Sequence, residues 1–142
     1  MKQLFKLAAA AALGALASGS IVYAQAGSPE PPKARIAIYR AATGQQVGLL
    51  KFLAAQNRAA AAAGVPTGVI YAHTDGDSWD YIAIDPVTTP AQDAATDAAA
   101  KKMGMPTGVA GNLELRKYIA QHTDTFVIGP VTPAQYLAMA GQ

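Results

Sequence analysis

The sequence predicts an α+β domain with element order β-α-β-β-α-β, folded as a four-stranded antiparallel sheet with its helices on one face. Three observations carry this. Gly68 to Asp85 (GVIYAHTDGDSWDYIAID) holds two runs of branched and aromatic residues joined by Asp75-Gly76, the composition of a hairpin. Two Ala-rich stretches of helical character flank it, each closed by Gly-x-Pro-Thr-Gly (from Gly64 and from Gly104). Short strand-like runs, RIAIYR from Arg35 and TFVI from Thr125, stand at the two ends.

In chain order, residues 1–26 read as a secretory signal peptide. Lys2 and Lys6 form the basic n-region, Leu7 to Leu16 the apolar core, and Ala24-Gln25-Ala26 the cleavage motif, with the cut expected after Ala26. The competing reading is an uncleaved anchor, but Ser18, Gly19 and Ser20 interrupt the apolar run. Residues 27–34 are a Pro-rich tail that suits no central strand. Residues 35–142 then form one domain, opening with the strand Arg35–Arg40. Thr43-Gly44-Gln45-Gln46 fits a capping box for a first helix, whose apolar face comes from Val47, Leu49, Leu50, Phe52 and Leu53 and which Gly64 and Pro66 stop. After the hairpin, Thr89-Pro90-Ala91-Gln92 opens a second helix that ends near Met103. Extra short helices are expected before and after the last strand: Leu113 to Gln121 capped by Asn112, and one opened by Thr132-Pro133-Ala134-Gln135. The repeated Pro-Thr-Gly, with His73-Thr74-Asp75 and His122-Thr123-Asp124, hints at a duplicated plan.

Composition excludes several functions. Once Lys2 and Lys6 leave, nine basic residues face nine acidic ones, so no basic stripe remains for nucleic acid and no polybasic patch for a membrane surface. The chain has no Cys, hence no disulfide framework, thiolate metal site, Cys nucleophile or lipoprotein anchor. The two His-x-Asp pairs lack the spacing of HExxH or EF-hand sites, and no metal or tightly bound cofactor is predicted; a haem ligand at His73 or His122 has only the bare presence of histidine behind it. Phosphate-loop and serine-hydrolase motifs are absent.

Alternation sorts the strand side chains into two sets. Ile36, Ile38, Ile70, Ala72, Ile82, Ile84, Phe126 and Ile128 are expected to meet the helices. Ala37, Tyr39, Val69, Tyr71, His73, Trp79, Tyr81, Ala83, Thr125 and Val127 take the other face, provided that paired numbers across the hairpin sum to even values. That second face exposes Tyr39, Tyr71, Trp79 and Tyr81 together, which predicts a homodimer with a second sheet covering them. These rings serve either as plain interface or as the lining of a small-molecule pocket. Within it His73 is the acid–base candidate, and Asp80 is a carboxylate set among aromatics that acts as a base or as half of a salt bridge with Arg40. Asn57 and Arg58, on the first helix, bind an anionic group or mark its solvent side.

A central hairpin carrying Asp-Gly-x-x-Trp-Asp-Tyr (Asp75 to Tyr81) and a last strand starting His-x-Asp-Thr-Phe (His122 to Phe126) before Gly-Pro resemble the dimeric α+β-barrel superfamily, which is ferredoxin-like and includes the antibiotic-biosynthesis-monooxygenase-like and EthD-like proteins. The resemblance covers Arg35 to about Gly129 and rests on element order. It implies two sheets facing each other across a homodimer. Its members include cofactor-free oxygenases, isomerases, haem-degrading enzymes and proteins of no known activity, so it fixes no reaction. The sequence thus leads to a periplasmic or secreted protein, without stable membrane association once the signal is cut, that binds a hydrophobic or aromatic small molecule. The alternatives are a cofactor-independent monooxygenase or isomerase using His73, and a structural interaction module.

Overall fold

The computed structural model describes residues 31–76 and 78–142. The expected signal peptide, the start of the Pro-rich tail and Asp77 of the hairpin lie outside the described residues. The elements run β1 (Lys33–Ala41), α1 (Gln46–Ala62), β2 (Val69–Ala72), β3 (Tyr81–Pro86), α2 (Pro90–Lys102), α3 (Gly108–Leu115), β4 (Ile119–Ile128) and α4 (Pro133–Met139). The four strands form one antiparallel sheet in the order β2-β3-β1-β4, an α+β arrangement compatible with a ferredoxin-like fold. Short helices do flank the last strand, α3 before it and α4 after it. Among the described residues no helix is long and apolar enough to cross a membrane.

Local chemistry accounts for most boundaries. Thr89 caps α2 and Thr132 caps α4 with complete capping boxes, the Thr hydroxyl accepting from the N3 amide while the N3 Gln side chain returns to the cap amide. Gly64 (φ +69°) and Gly104 (φ +73°) follow the ends of α1 and α2 in the left-handed conformation that suits glycine. The expected box at Thr43 is not formed. Gly44 sits at φ +74°, outside the helical region, so α1 starts at Gln46 with Gln45 as its N-cap and no side-chain cap. The helix expected over residues 113–121 is also displaced: α3 ends at Leu115 and β4 begins at Ile119, where pairing with β1 claims the backbone.

The two faces of the sheet differ from expectation. β1 and β3 pair with Ile36 opposite Ile84 and Ile38 opposite Ile82, so these four share one face, as expected. Across the hairpin, however, Val69 lies opposite Ile84 and Ala72 opposite Tyr81, so eight residues separate the strands and paired numbers sum to odd values. An even-length loop exchanges the faces of β2 relative to a three-residue one. In β4, Thr125 lies opposite Ile36 and Phe126 opposite Arg35, which exchanges that strand as well. The helices cover the side bearing Ala37, Tyr39, Ala41, Tyr81 and Ala83, where Leu49 of α1 completes the buried cluster and Leu53, Leu115, Tyr118 and Ile119 pack around it. The sequence places the aliphatic set there, and Ile70 and Phe126 do lie on that side; Ile36, Ile38, Ile82 and Ile84 instead join Val69 and Tyr71, expected there, on the uncovered face, with Tyr71 55% exposed. The physical reason is clearance. Ala37, Ala41 and Ala83 are short enough for Leu49 to descend to the sheet.

Candidate functional site

Three rows of side chains cross the helix-covered face from β3 through β1 to β4. The first is Asp85, Arg35, Phe126; the second Ala83, Ala37, Asp124; the third Tyr81, Tyr39, His122. The Tyr81 end of the third row packs against the core cluster, and over the remainder of the rows the helices leave a cleft of about 750 Å³. Its floor is Arg35, Tyr39, Ala83, Asp85, His122 and Asp124, and Phe126 stands at its edge. α1 contributes Phe52, Gln56, Asn57 and Ala60, and α2 contributes Asp93, Thr96 and Asp97.

The polar groups of the floor are tied together. Arg35 Nη2 donates to Asp85 Oδ2 at 2.9 Å in a half-buried ion pair. Burial opposes the guanidinium charge, but the bonded Asp85, and beyond it Asp124, outweigh this and raise the Arg35 pKa further. His122 Nε2 lies 2.9 Å from Asp124 Oδ1, and the imidazole stacks on Tyr39 with ring centroids 5.1 Å apart and planes 17° from parallel. Tyr39 is only 4% exposed, yet its hydroxyl makes no hydrogen bond among the described residues. Burial, reinforced by Asp85 and Asp124 against the opposing pull of Arg35, pushes that phenol up to about 12, so it remains a neutral hydrogen-bonding group. Gly68 runs so close beside Asp85 that a Cβ there would collide with the carboxylate and with the Ile84 carbonyl.

The residues singled out from sequence are distributed over several places. Tyr39 and Asn57 line the cleft. Tyr81 shares the Tyr39 row and packs on the core, while Tyr71 is on the uncovered face. His73 stacks obliquely on Trp79 in the loop after β2, ring centroids 4.9 Å apart, and its Nε2 is enclosed without a hydrogen-bond partner. Neither ring lines the cleft. Asp80 serves the backbone: its Oδ2 accepts from the Ala41 amide at 2.7 Å, beside the register shift between Arg40 and Ala41, rather than pairing with Arg40. Arg58 is exposed on α1. Sequence reasoning misses Arg35 and Asp85, although they share the odd-numbered parity of Tyr39 and follow it inward once Tyr39 is placed inside. It offers His122 and Asp124 only as metal or haem ligands. Among the described residues no three His or carboxylate groups assemble as a metal-binding cluster. Chemically, the floor offers a neutral phenol, an oriented imidazole, a charged guanidinium and carboxylates beside aromatic surface. The sequence matches no protein-family model and no curated protein.

Proposed function

We propose that this is an exported protein that binds a small, partly aromatic molecule in the cleft between the sheet and its helices. The observation that carries the reading is the hydroxyl of Tyr39, a residue otherwise buried, which has no hydrogen-bond partner among the described residues and lies on the floor of an open 750 Å³ space. The hydroxyl is open to the cleft, so a ligand atom there can take the place of the water that otherwise serves it. The space also lies within the usual range of ligand pockets, roughly 300–1,000 Å³. The cleft, not the predicted aromatic set as a whole, is the binding surface: of Tyr39, Tyr71, Trp79 and Tyr81 only Tyr39 lines it.

The uncovered face supports the finer fold reading, a dimeric α+β barrel. Ile36, Ile38, Ile82, Ile84, Val69 and Tyr71 form a contiguous apolar surface across three strands, and a second copy of the sheet would remove it from water. The interface in this reading is aliphatic rather than aromatic. A catalytic version of the same function assigns proton transfer to His122, which Asp124 orients inside the cleft, in place of His73 outside it. Native mass spectrometry of the mature chain tests the whole reading. The expected spectrum is a dimer carrying a small molecule, with the molecule lost in Ala60→Phe and the dimer lost in Ile38→Lys. A ligand retained at full occupancy by a folded Ala60→Phe variant would exclude the cleft as its site.

A further inference from the structure

We infer that the cleft ligand is an organic cation, an amine or a related positively charged group joined to an apolar or aromatic body. The inference rests on the cleft being the ligand site and concerns the charge that the site accepts. Among the described residues four of the seven acidic side chains, Asp85, Asp93, Asp97 and Asp124, line this one space, against a single one of the nine basic side chains, Arg35. Arg35 is already neutralised by Asp85 at 2.9 Å. Asp93 accepts from the Thr88 hydroxyl, which stabilises a carboxylate without cancelling its charge, and Asp124 lies against His122 within the field of Arg35. The carboxylates therefore outnumber the guanidinium around this partly open space, which favours a positive ligand over a negative one.

A second, independent observation points to the same occupant. Tyr39, itself buried, presents beside Asp124 and His122 a hydroxyl with no partner among the described residues, and its phenol stays un-ionised, so its oxygen can accept from an ammonium N–H. Phe52 and Phe126 supply further ring surface against which a cation or its apolar body rests.

The test uses the mature chain and three probes that share a phenylethyl body and differ in their head group: phenethylamine, 2-phenylethanol and 3-phenylpropanoate, titrated by calorimetry at neutral pH. The amine is expected to bind at least about tenfold more tightly than either other probe, the ratio that one charge-assisted hydrogen bond gives. That preference should shrink with added salt and fall by a similar factor in Asp124→Asn. Asp97→Asn, an exposed change that leaves the floor intact, should give a smaller loss of roughly two- to threefold. Equal or tighter binding of the alcohol or the carboxylate overturns the cation assignment while leaving the cleft as the ligand site. Binding of none of the three at millimolar concentration also overturns it, and the native mass spectrum then decides separately whether the cleft holds any ligand.

Discussion

Replacing Leu49 by Ala probes the one place where this small core is dense. Leu49 is fully buried, the only large side chain so enclosed among the described residues, and its cluster mates are Ala37, Ala41, Ala83 and Tyr39. The change removes three carbons, a transfer loss of about 2.4 kcal/mol at ~0.8 kcal/mol per methylene. The alanines have no longer side chain to move into the gap, and Tyr39 is held by its stack on His122, so most of the void persists. A residual cavity of roughly 70 Å³ adds about 1.7 kcal/mol at ~24 cal/mol per Å³. The expected total is about 4 kcal/mol, equivalent to a fall of roughly 15–30 °C in Tm for a domain of this size. Urea unfolding followed by far-ultraviolet circular dichroism measures it, with Leu113→Ala (60% exposed) as a control expected to stay within about 0.5 kcal/mol. A loss below about 1 kcal/mol for Leu49→Ala would refute the placement of the core beneath α1.

Three further outcomes follow from the same geometry. The Tyr39 phenol is raised from 10 to about 12 in the folded chain, so the folded state holds that proton more tightly. Stability from this source is complete below pH 10 and is lost as pH climbs towards 12, by roughly 2–3 kcal/mol; Tyr39→Phe should flatten the alkaline limb of a stability–pH curve, and an unchanged limb would contradict it. Asp80→Ala leaves the Ala41 amide without its acceptor and should cost about 1–3 kcal/mol in urea unfolding, with Asp80→Asn recovering part of it. Should Asp80→Ala prove neutral, the carboxylate is not holding that strand end. Thr89→Ala should cost about 1 kcal/mol and Thr43→Ala almost nothing, because only the first is a helix cap; equal losses in thermal melts would speak against the observed start of α1.

Features fixed by local chemistry are legible in the sequence, and those fixed by long-range pairing are not. The tetrapeptide Thr-Pro-Ala-Gln announces both complete capping boxes, at Thr89 and Thr132, since each donor and acceptor lies within four residues. The hairpin is legible from its two branched runs, but not its register, because the parity of an eight-residue loop leaves no mark on the strands it joins. β4 is harder still. Its face is set by β1, some eighty residues earlier, and residues 119–124 give no sign of the strand they join. The repeated Pro-Thr-Gly diverges in the same way: after Gly68 the chain enters β2, whereas Gly108, at φ +58°, already begins α3. The site inherits these limits. Tyr39 and Asn57 are visible as types, while Arg35, Asp85, His122 and Asp124 form a site only after β1, β3 and β4 are in register.

The Ala-rich helices explain why there is a cleft at all. A helix layer packs on a sheet at a spacing of ~10 Å, which side chains from both layers must fill. Leu49, Leu53, Leu115 and Tyr118 do so at one end. Towards the other end α1 offers Asn57 and Ala60, and α2 offers Thr96 and Asp97, groups too short or too polar to close the gap. The empty volume therefore follows from side-chain choice, and filling it should trade binding for stability. Ala60→Phe places a ring where the cleft now stands, and burying that added apolar surface favours folding by about 1–2 kcal/mol if the ring meets no clash. The ligand-free variant should melt several degrees above the parent and show no rise in Tm with phenethylamine, whereas the parent's Tm should climb with probe concentration as mass action requires. A variant that melts lower than the parent yet still responds to the amine would mean that the space is not a cleft bounded by α1, and the readings of both fold and function would fail together.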